Sequence, residues 1–474
     1  MPRKWATSGV DLLLELPGTR RRAGLEDALR DAVRSDLLAP GTRLPSSRAL
    51  AAELGLARNT VADAYGQLVA EGWLTARQGA GTRVADRVTP AAGRAPARLP
   101  AMAAGRRSYD LTPGHPDLAG FPRSAWLAAG RRAMAAAPSH EFGYPDPRGL
   151  PGLREALAQY LARVRGVRTT PDRIIICSGF VQALSLLSTA LHRRGAGIMA
   201  VESHGFRMHR EVIHAAGLAT RPLTVDAHGA RISELSSAPA DAVLLTPAHQ
   251  FPLGVPLAAQ RRAAVAGWAR DRGTLVIEDD YDGEFRYDRR PLGALQGLAP
   301  DLVAYAGTAS KSLAPGLSLA WLAAPPHLLD VLVETKRLTD GHTGVIEQLT
   351  LAEFIRSGGY DRHIRRSRLR YRRRRDRLLA LLAGRAPDVT VTGIAAGLHA
   401  VLELGRELRA TDEPGILSRA ARAGLTIQGL SEYRYDEPGT GAEPGAPAAL
   451  VVGYGTPPEH AFAGALDALC DVLA

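Results

Sequence analysis

The stretch GTASKSLAPG, residues 307–316, sets a single lysine, Lys311, among small and hydroxyl-bearing residues. A lysine that forms a Schiff base with an aldehyde must be reachable, and it must be partly desolvated so that some of its amine is neutral. The neighbouring hydroxyls of Thr308 and Ser310 suit a phosphate group. The stretch therefore predicts a Schiff-base lysine. The alternative is a structural lysine with no cofactor.

The chain upstream of this stretch predicts partners for the lysine. Residues 274–277, TLVI, indicate a buried strand, and EDDYD, residues 278–282, follows at its carboxyl end, where open α/β sheets bind ligands. Pyridoxal phosphate needs a lysine, a carboxylate at its ring nitrogen and a donor to its ring oxygen. We assign Asp279 to the nitrogen and Tyr281 to the oxygen. A shift of one residue in strand register would exchange Asp279 with Asp280.

A second strand end suits the phosphate of the same cofactor. Residues 174–177, IIIC, predict a buried strand that leads to Ser178 and Gly179 at the start of a helix. Backbone N–H groups at a helix N-terminus bind phosphate, although small residues are common in any such turn.

Length, charge and cysteine content restrict the class of protein. The 474 residues suggest about three structural bodies, and a net charge of +11 with a pI of about 10.0 favours a polyanionic partner such as nucleic acid. Cys177 and Cys470, the two cysteines, have no spacing typical of a disulfide framework, and we expect no metal site. We find neither a signal-peptide core nor an apolar run long enough to span a membrane, so we expect a soluble, cytoplasmic protein.

The first 85 residues predict a helix-turn-helix followed by a hairpin. Apolar spacing indicates a helix over residues 25–38, a second helix capped by Ser46 and ending at Gly55, and a third that begins at Arg58. The inward face of the third helix is expected to be Val61, Ala64, Tyr65 and Leu68. Residues 73–77 and 82–84 flank a glycine-containing tip and predict a wing.

These segments carry a resemblance to known families. PGTRLPSSRALAAELGLARNTVADAYGQL, residues 40–68, and EGWLTARQGAGTRV, residues 71–84, resemble GntR-type winged helices, and the chain from Tyr109 onward resembles fold-type I aminotransferases. Together they are similar to regulators of the MocR/GabR type. The resemblance implies an α/β fold class with a winged helix-turn-helix at residues 1–85, a linker at 86–108, and an aminotransferase-like domain with large and small lobes at 109–474.

The resemblance also implies roles for particular residues. The residues expected to face double-stranded operator DNA are Arg48, Arg58, Asn59, Thr60, and the wing-tip pair Gln78 and Gly79. Arg and Asn at the start of a recognition helix can bond guanine and adenine edges. In the cofactor domain Phe206 would stack on the pyridine ring, or else pack in the core. Tyr144 would reach the cofactor phosphate of the partner subunit in a homodimer, or else be a packed loop residue.

Three positions depart from the family pattern. Ser318 stands where the pattern SKxxxPxxRxG has its phosphate-binding arginine, and Phe251 stands in a loop that usually provides an asparagine. Glu432 occupies the position of the substrate-carboxylate arginine in enzymes, with Arg434 two residues further on. The departure at Ser318 predicts either weaker phosphate binding or compensation by another arginine, and the departure at Glu432 argues against an ordinary α-amino acid substrate.

An arginine-rich segment, residues 363–377, predicts a helix that is usually a solvated face. As a hypothesis, Arg372 to Arg375 extend the DNA-contacting surface.

The favoured function is a sequence-specific transcriptional regulator that uses its aminotransferase-like fold to sense a small amine, an amino acid or pyridoxal phosphate itself through Lys311. The alternatives are a working aminotransferase that carries a winged helix, and a DNA-binding protein with a cofactor-free body.

Overall fold

The computed structural model describes residues 21–35, 37–77, 81–86, 109–287, 292–405, 413–435 and 448–474. The chain divides into two compact units, residues 1–104 and residues 105–474. None of the helices that the model describes is both long and apolar enough to cross a membrane.

The first unit is a winged helix-turn-helix. Its elements are α1 (Arg21–Arg34), α2 (Ser47–Leu54), α3 (Arg58–Ala70), β1 (Leu74–Arg77) and β2 (Gly81–Val84), the two strands pairing antiparallel. Ser46 caps α2 by accepting a hydrogen bond from the N–H of Ala49 at 3.2 Å, and Gly55 ends the helix with φ of 65°. The four predicted inward residues of α3 are all buried. Sequence patterning thus predicted α2 and α3 correctly.

The predicted end of the first helix was wrong. α1 ends at Arg34, and the N–H of Leu38 bonds back to the carbonyl of Ala32 at 2.9 Å. This contact turns Leu38 into the core, whereas Leu37 is 58% exposed. The wing-tip residues Gln78 and Gly79 lie outside the described residues, as does most of the predicted linker.

The second unit contains the remaining elements. Among the residues that the structure describes, its α-helices are α4 (Arg123–Ala136), α5 (Pro151–Arg165), α6 (Phe180–Arg193), α7 (Arg207–Ala215), α8 (Glu234–Ser237), α9 (Ala259–Arg272), α10 (Ala309–Ser312), α11 (Leu329–Thr339), α12 (Val345–Arg356), α13 (Gly359–Arg385), α14 (Glu413–Arg422) and α15 (Glu459–Leu473). Its strands are β3 (Tyr109–Asp110), β4 (Ile174–Cys177), β5 (Ile198–Glu202), β6 (Ala219–Leu223), β7 (Val225–Asp226), β8 (Gly229–Ala230), β9 (Ala242–Leu245), β10 (Leu275–Asp280), β11 (Val303–Thr308), β12 (Ala320–Ala323), β13 (Thr390–Thr392), β14 (His399–Glu403), β15 (Leu425–Thr426), β16 (Gln428–Gly429) and β17 (Ala449–Gly453).

A seven-stranded sheet in the order β4-β12-β11-β10-β9-β5-β6 forms the large lobe. β12 runs antiparallel to both of its neighbours, and the other adjacent pairs are parallel. Ile174, Ile175 and Ile176 of β4 are fully buried, as expected for a strand covered on both faces. Because β5, β9, β10 and β11 are parallel, the loops that follow them leave the same edge of the sheet, where ligands bind in open α/β folds.

A four-stranded antiparallel sheet, β13-β14-β17-β16, forms the small lobe. β15 pairs in parallel with β3, which ties the start of this unit to its carboxyl-terminal part. The arginine-rich helix α13 is longer than predicted, at 27 residues.

Candidate cofactor and nucleic-acid sites

Side-chain alternation along β10 separates its three acids. Glu278 accepts hydrogen bonds from the N–H groups of Leu295 at 2.7 Å and Gln296 at 2.8 Å. Asp280 accepts from Arg165 Nε at 2.7 Å and is buried with it. Successive residues of a strand point to opposite faces, so the residue between these two acids faces the other side.

That intervening residue, Asp279, lines a cavity together with Lys311. The cavity has a volume of about 110 Å³, and its lining also includes Phe206 and Tyr281. Burial raises the pKa of Asp279 well above its usual range, and burial lowers the pKa of Lys311, with Asp279 partly opposing that decrease. A buried acid opposite a desolvated amine fits a ligand that brings its own cationic nitrogen to the acid and an electrophile to the amine.

Gly114 brings backbone close to the amine. Its φ is +84°, and a Cβ at this position would lie 3.6 Å from the ring of Phe206 and 3.9 Å from Lys311 Nζ. The positive φ favours glycine, and a side chain would extend into the space beside the amine.

Phe206 packs face to face with Phe251, with ring centroids 4.3 Å apart and planes inclined by 10°. Both rings line the cavity. One face of Phe206 is therefore covered by protein, which leaves only its other face for a cofactor ring.

Tyr281 joins a buried hydrogen-bond network. Its hydroxyl lies 3.1 Å from His249 Nδ1, and the same nitrogen lies 2.8 Å from Asp282 Oδ2. The side chains of His249 and Asp282 are 3% and 2% exposed. Sequence reasoning did not assign either residue, although His249 lies within the loop TPAHQFPLG, residues 246–254.

The predicted phosphate residues fall into two groups. Thr308 Oγ1 accepts from the N–H of Ser310 at 3.1 Å and donates to Ser310 Oγ at 2.9 Å, so these hydroxyls lie together at the start of α10. Ser178 and Gly179 instead line a separate cavity with part of α6, and the N–H of Ser178 donates to Gln182 Oε1 at 2.8 Å. Neither pair lines the cavity of Lys311 itself, although Phe180, the residue after Gly179, does.

The other two departures from the family pattern are Ser318 and Glu432, and the structure also places a cation at the cavity that the sequence analysis did not identify. Ser318 is exposed and left-handed, with φ of 49° and ψ of 50°. Glu432 accepts from Gln428 Nε2 at 3.0 Å and from the N–H of Gly429 at 3.3 Å, and so closes a local turn. Arg210, on α7, lines the cavity of Lys311 but no sequence motif pointed to it.

Tyr144 is 97% exposed and lies near the ring of His342, with centroids 6.0 Å apart. It does not line the cavity that contains Lys311 of its own chain.

The predicted DNA-facing residues of the first unit lie at helix starts. Arg48 follows the cap of α2, and Arg58, Asn59 and Thr60 form the first turn of α3. Arg48, Arg58 and Asn59 are exposed, and Thr60 is half-buried.

The hypothesis for the arginine-rich helix needs a correction at Arg374. This side chain is 2% exposed and binds Asp117 Oδ2 at 3.1 Å and Glu459 Oε2 at 2.8 Å. Arg372 and Arg373 are exposed. Arg374 is therefore an internal ion-pair residue and is not available to DNA.

Comparison with known protein families finds one family in each of the two compact units of the chain. The family of bacterial regulatory proteins of the gntR type matches residues 21–84, and aminotransferase class I and II matches residues 110–424. The fold and the matched segments define a DNA-binding transcriptional regulator with an aminotransferase-like domain. The chain belongs to the family of HTH-type regulators that join a GntR domain to a class I and II aminotransferase domain, the MocR type.

Two relatives that are similar to this chain over most of their length are named as regulators. The HTH-type pyridoxine biosynthesis transcriptional regulator PdxR of Corynebacterium glutamicum is 34% identical over 95% of each chain. The probable rhizopine catabolism regulatory protein MocR of Rhizobium meliloti is 33% identical over 87% of each chain. Among solved structures, an archaeal alanine:glyoxylate aminotransferase superposes with a TM-score of 0.69 at 23% identity, covering 78% of this chain and 91% of its own. This last likeness concerns the fold alone.

Proposed function

We propose that this regulator binds pyridoxal phosphate through Lys311, and that its DNA binding responds to the cofactor itself or to a small amine or amino acid that reacts with it. The observation that carries the proposal is the shared cavity of Lys311 and Asp279. When bound, the cofactor would supply an electrophilic aldehyde that captures amines.

The residues of the chain have distinct roles in this proposal. Lys311 would hold the aldehyde carbon, and Asp279 would keep a proton on the ring nitrogen. Tyr281 would donate to the ring oxygen, while Gly114 and Phe206 would form the walls beside the ring. The hydroxyls of Thr308 and Ser310 suit the phosphate, and Ser178 and Gly179 would need to contribute from the neighbouring cavity.

The choice of effector draws on the relatives. PdxR is named for pyridoxine biosynthesis and MocR for rhizopine catabolism. The first name supports the cofactor as effector, whereas the second supports a small molecule. In either case, regulation requires that the ligand bind one conformational state better than the other.

We further propose a homodimer. Leu127 and Met134 of α4 are 66% and 43% exposed, and Phe142 and Tyr144 are exposed in the following loop. Apolar side chains clustered along one segment are typical of a protein interface. In this arrangement Tyr144 would contact the cofactor phosphate bound in the partner subunit.

A working aminotransferase is the second candidate, and the fold itself favours it. Ser318 and Glu432 oppose it, because neither provides the charged contact that the enzymes use. Conversion of the bound cofactor to its amine form by amino acid donors would support the enzyme and contradict a purely regulatory role.

The test is an absorption titration of the purified protein with pyridoxal phosphate. We expect a visible band from the lysine-bound cofactor in the wild type and none in Lys311→Ala. Lys311→Arg is the matched control, because it keeps the positive charge but cannot form the covalent bond. DNA binding to a duplex selected from a random library is then measured with and without cofactor and amines. A band that persists in both variants would contradict the assignment of Lys311.

A further inference from the structure

A group of buried polar residues lies next to Tyr281 but does not line the cavity of Lys311. Among the residues that the structure describes, His249, Asp282 and His399 are the group of three whose nitrogen and carboxylate atoms lie within 4.8 Å of one another. His399 Nε2 donates to the carbonyl of Pro252 at 2.9 Å. Burial lowers the pKa of His399 to about 4, so its ring is neutral at neutral pH.

Hydrogen-bond chemistry fixes the direction of the bonds around His249. Its Nδ1 carries one hydrogen at most, and an ionised carboxylate only accepts. Since Asp282 Oδ2 is the nearer partner at 2.8 Å, the Nδ1–H donates to Asp282. That nitrogen then has no lone pair for the hydroxyl of Tyr281, which lies 3.1 Å away.

The Tyr281 hydroxyl can then donate to one of two acceptors. One is the carboxylate of Asp282, and the other is an oxygen of a ligand bound in the cavity. Burial raises the pKa of Tyr281 well above its usual range, so the phenol keeps its hydrogen and remains a donor. Because Asp282 already accepts a hydrogen bond from His249, its carboxylate attracts the hydrogen of the Tyr281 hydroxyl less strongly.

The charged and titratable groups that act on this network come from several elements. Besides His249 and Tyr281 they are Glu202, Asp279, Asp282, Lys311 and His399. Asp282 is the acid that bonds His249, and Asp279 and Lys311 belong to the cavity.

We propose that His249 and Asp282 are positioning residues that direct the Tyr281 hydroxyl into the cavity and thereby set the proton affinity of the lysine-bound cofactor. This inference rests on the proposed cofactor binding. A donor to the ring oxygen stabilises its negative charge, and so weakens the hold of that oxygen on the proton it shares with the lysine nitrogen. The proton then leaves at lower pH.

The test is a pH titration of the visible absorption of the cofactor-loaded protein. In His249→Leu, Asp282 captures the phenolic hydrogen, and we expect the titration midpoint to rise by about 0.5 to 1 pH unit, the size of one hydrogen bond. His249→Asn retains an amide donor near the position of Nδ1 and should return the midpoint to within about 0.3 unit of the wild type. His214→Leu is the matched control, since His214 lies on α7, bonds Thr220 Oγ1 at 2.7 Å and takes no part in this network, and it should leave the midpoint unchanged.

A double-mutant cycle separates this role from a merely structural one. If His249 acts through Tyr281, His249→Leu has no further effect on the midpoint in a Tyr281→Phe background. Equal shifts in both backgrounds, or no shift in either, would overturn the inference while leaving cofactor binding intact. Absence of the visible band in the wild type would overturn the proposed function and this inference together.

Metal analysis of the purified protein adds an independent readout without cofactor. Imidazole and carboxylate groups at this spacing are also metal ligands. We expect no stoichiometric zinc or iron, because Asp282, the carboxylate of this group, already accepts the hydrogen bond from His249. One equivalent of metal, lost in His249→Leu, would overturn the inference, since a metal held by His249 and Asp282 would replace the hydrogen bond between them.

Discussion

Ser318 is the one described non-glycine residue with a positive φ, and it stands where the family has its phosphate-binding arginine. Ser318→Arg would add a charge-assisted contact to the phosphate, worth about 1.5 to 3 kcal/mol. We therefore expect pyridoxal phosphate to bind roughly ten- to a hundredfold more tightly, as measured by absorption titration. Ser318→Gln, which has similar length but no charge, is the control. Equal affinities of the two variants would show that the phosphate is held elsewhere.

Glu202, at the end of β5, gives a prediction for pH. Burial raises its pKa to about 7, against hydrogen bonds from Thr246 and Gln250. Because the folded state binds this proton more tightly than the unfolded state, stability falls as pH rises from about 4.5 to 7. Glu202→Gln should remove this loss and stabilise the cofactor-free protein by roughly 1 to 3 kcal/mol at pH 8, with little effect at pH 4.5. Denaturant unfolding at both pH values measures it, and an equal effect at both would contradict the assignment.

The limits of sequence reasoning at this scale are clear at Asp279 and Asp280. The motif placed both acids at a strand end but left their exchange open. What separates them is Arg165, 115 residues earlier on α5, which pairs with Asp280. A contact between such distant residues has no local signal. The hydrogen bonds around Tyr281 also lack a local sequence signal, since His249 and Asp282 come from different loops.

At the scale of elements, local patterning predicted the short helices and core strands well. Capping by Ser46 and the glycine at position 55 both have local causes, and β4, β5 and β9 coincide with continuous apolar runs. The end of α1 was missed because the burial of Leu38 depends on tertiary packing.

The arginine-rich helix α13 needs two separate predictions for its exposed and buried arginines. Arg372→Ala with Arg373→Ala should lower the salt dependence of DNA binding by about 0.9 in log–log slope for each DNA phosphate that these arginines neutralise. Arg385→Ala is the control, because it removes another exposed arginine from the same helix. An unchanged slope would exclude this helix from the DNA surface.

Arg374→Ala should instead destabilise the aminotransferase-like unit by about 3 kcal/mol, because the buried carboxylate of Asp117 loses its nearer ion-pair partner and keeps only Arg370 at 3.9 Å. Thermal or denaturant unfolding measures this change. A fully stable variant would show that the buried ion pair contributes little.

At the scale of the whole molecule, sequence resemblance predicted the winged helix and the aminotransferase-like fold, and both are confirmed. The predicted domain boundaries and the homodimer stay predictions. The reason is physical: a boundary and a subunit interface depend on surfaces that local periodicity does not encode.

Mixed dimers test the proposed subunit arrangement. If Tyr144 serves the cofactor of the partner subunit, Lys311→Ala and Tyr144→Ala chains combined in one dimer form one intact site. We expect wild-type affinity for pyridoxal phosphate at half stoichiometry in the purified mixed dimer. Affinity as weak as in the Tyr144→Ala homodimer would instead assign Tyr144 to its own chain.

The alternation of acids along β10 also constrains how this protein can diverge. A substitution on one face of the strand changes one contact, with Arg165, with the Leu295 turn, or with the cavity. Inserting or deleting a single residue within β10 would exchange the two faces, bringing an Arg-pairing acid into the cavity and removing the one opposite Lys311. Descendants of this chain should therefore tolerate single replacements in the strand better than any change in its length.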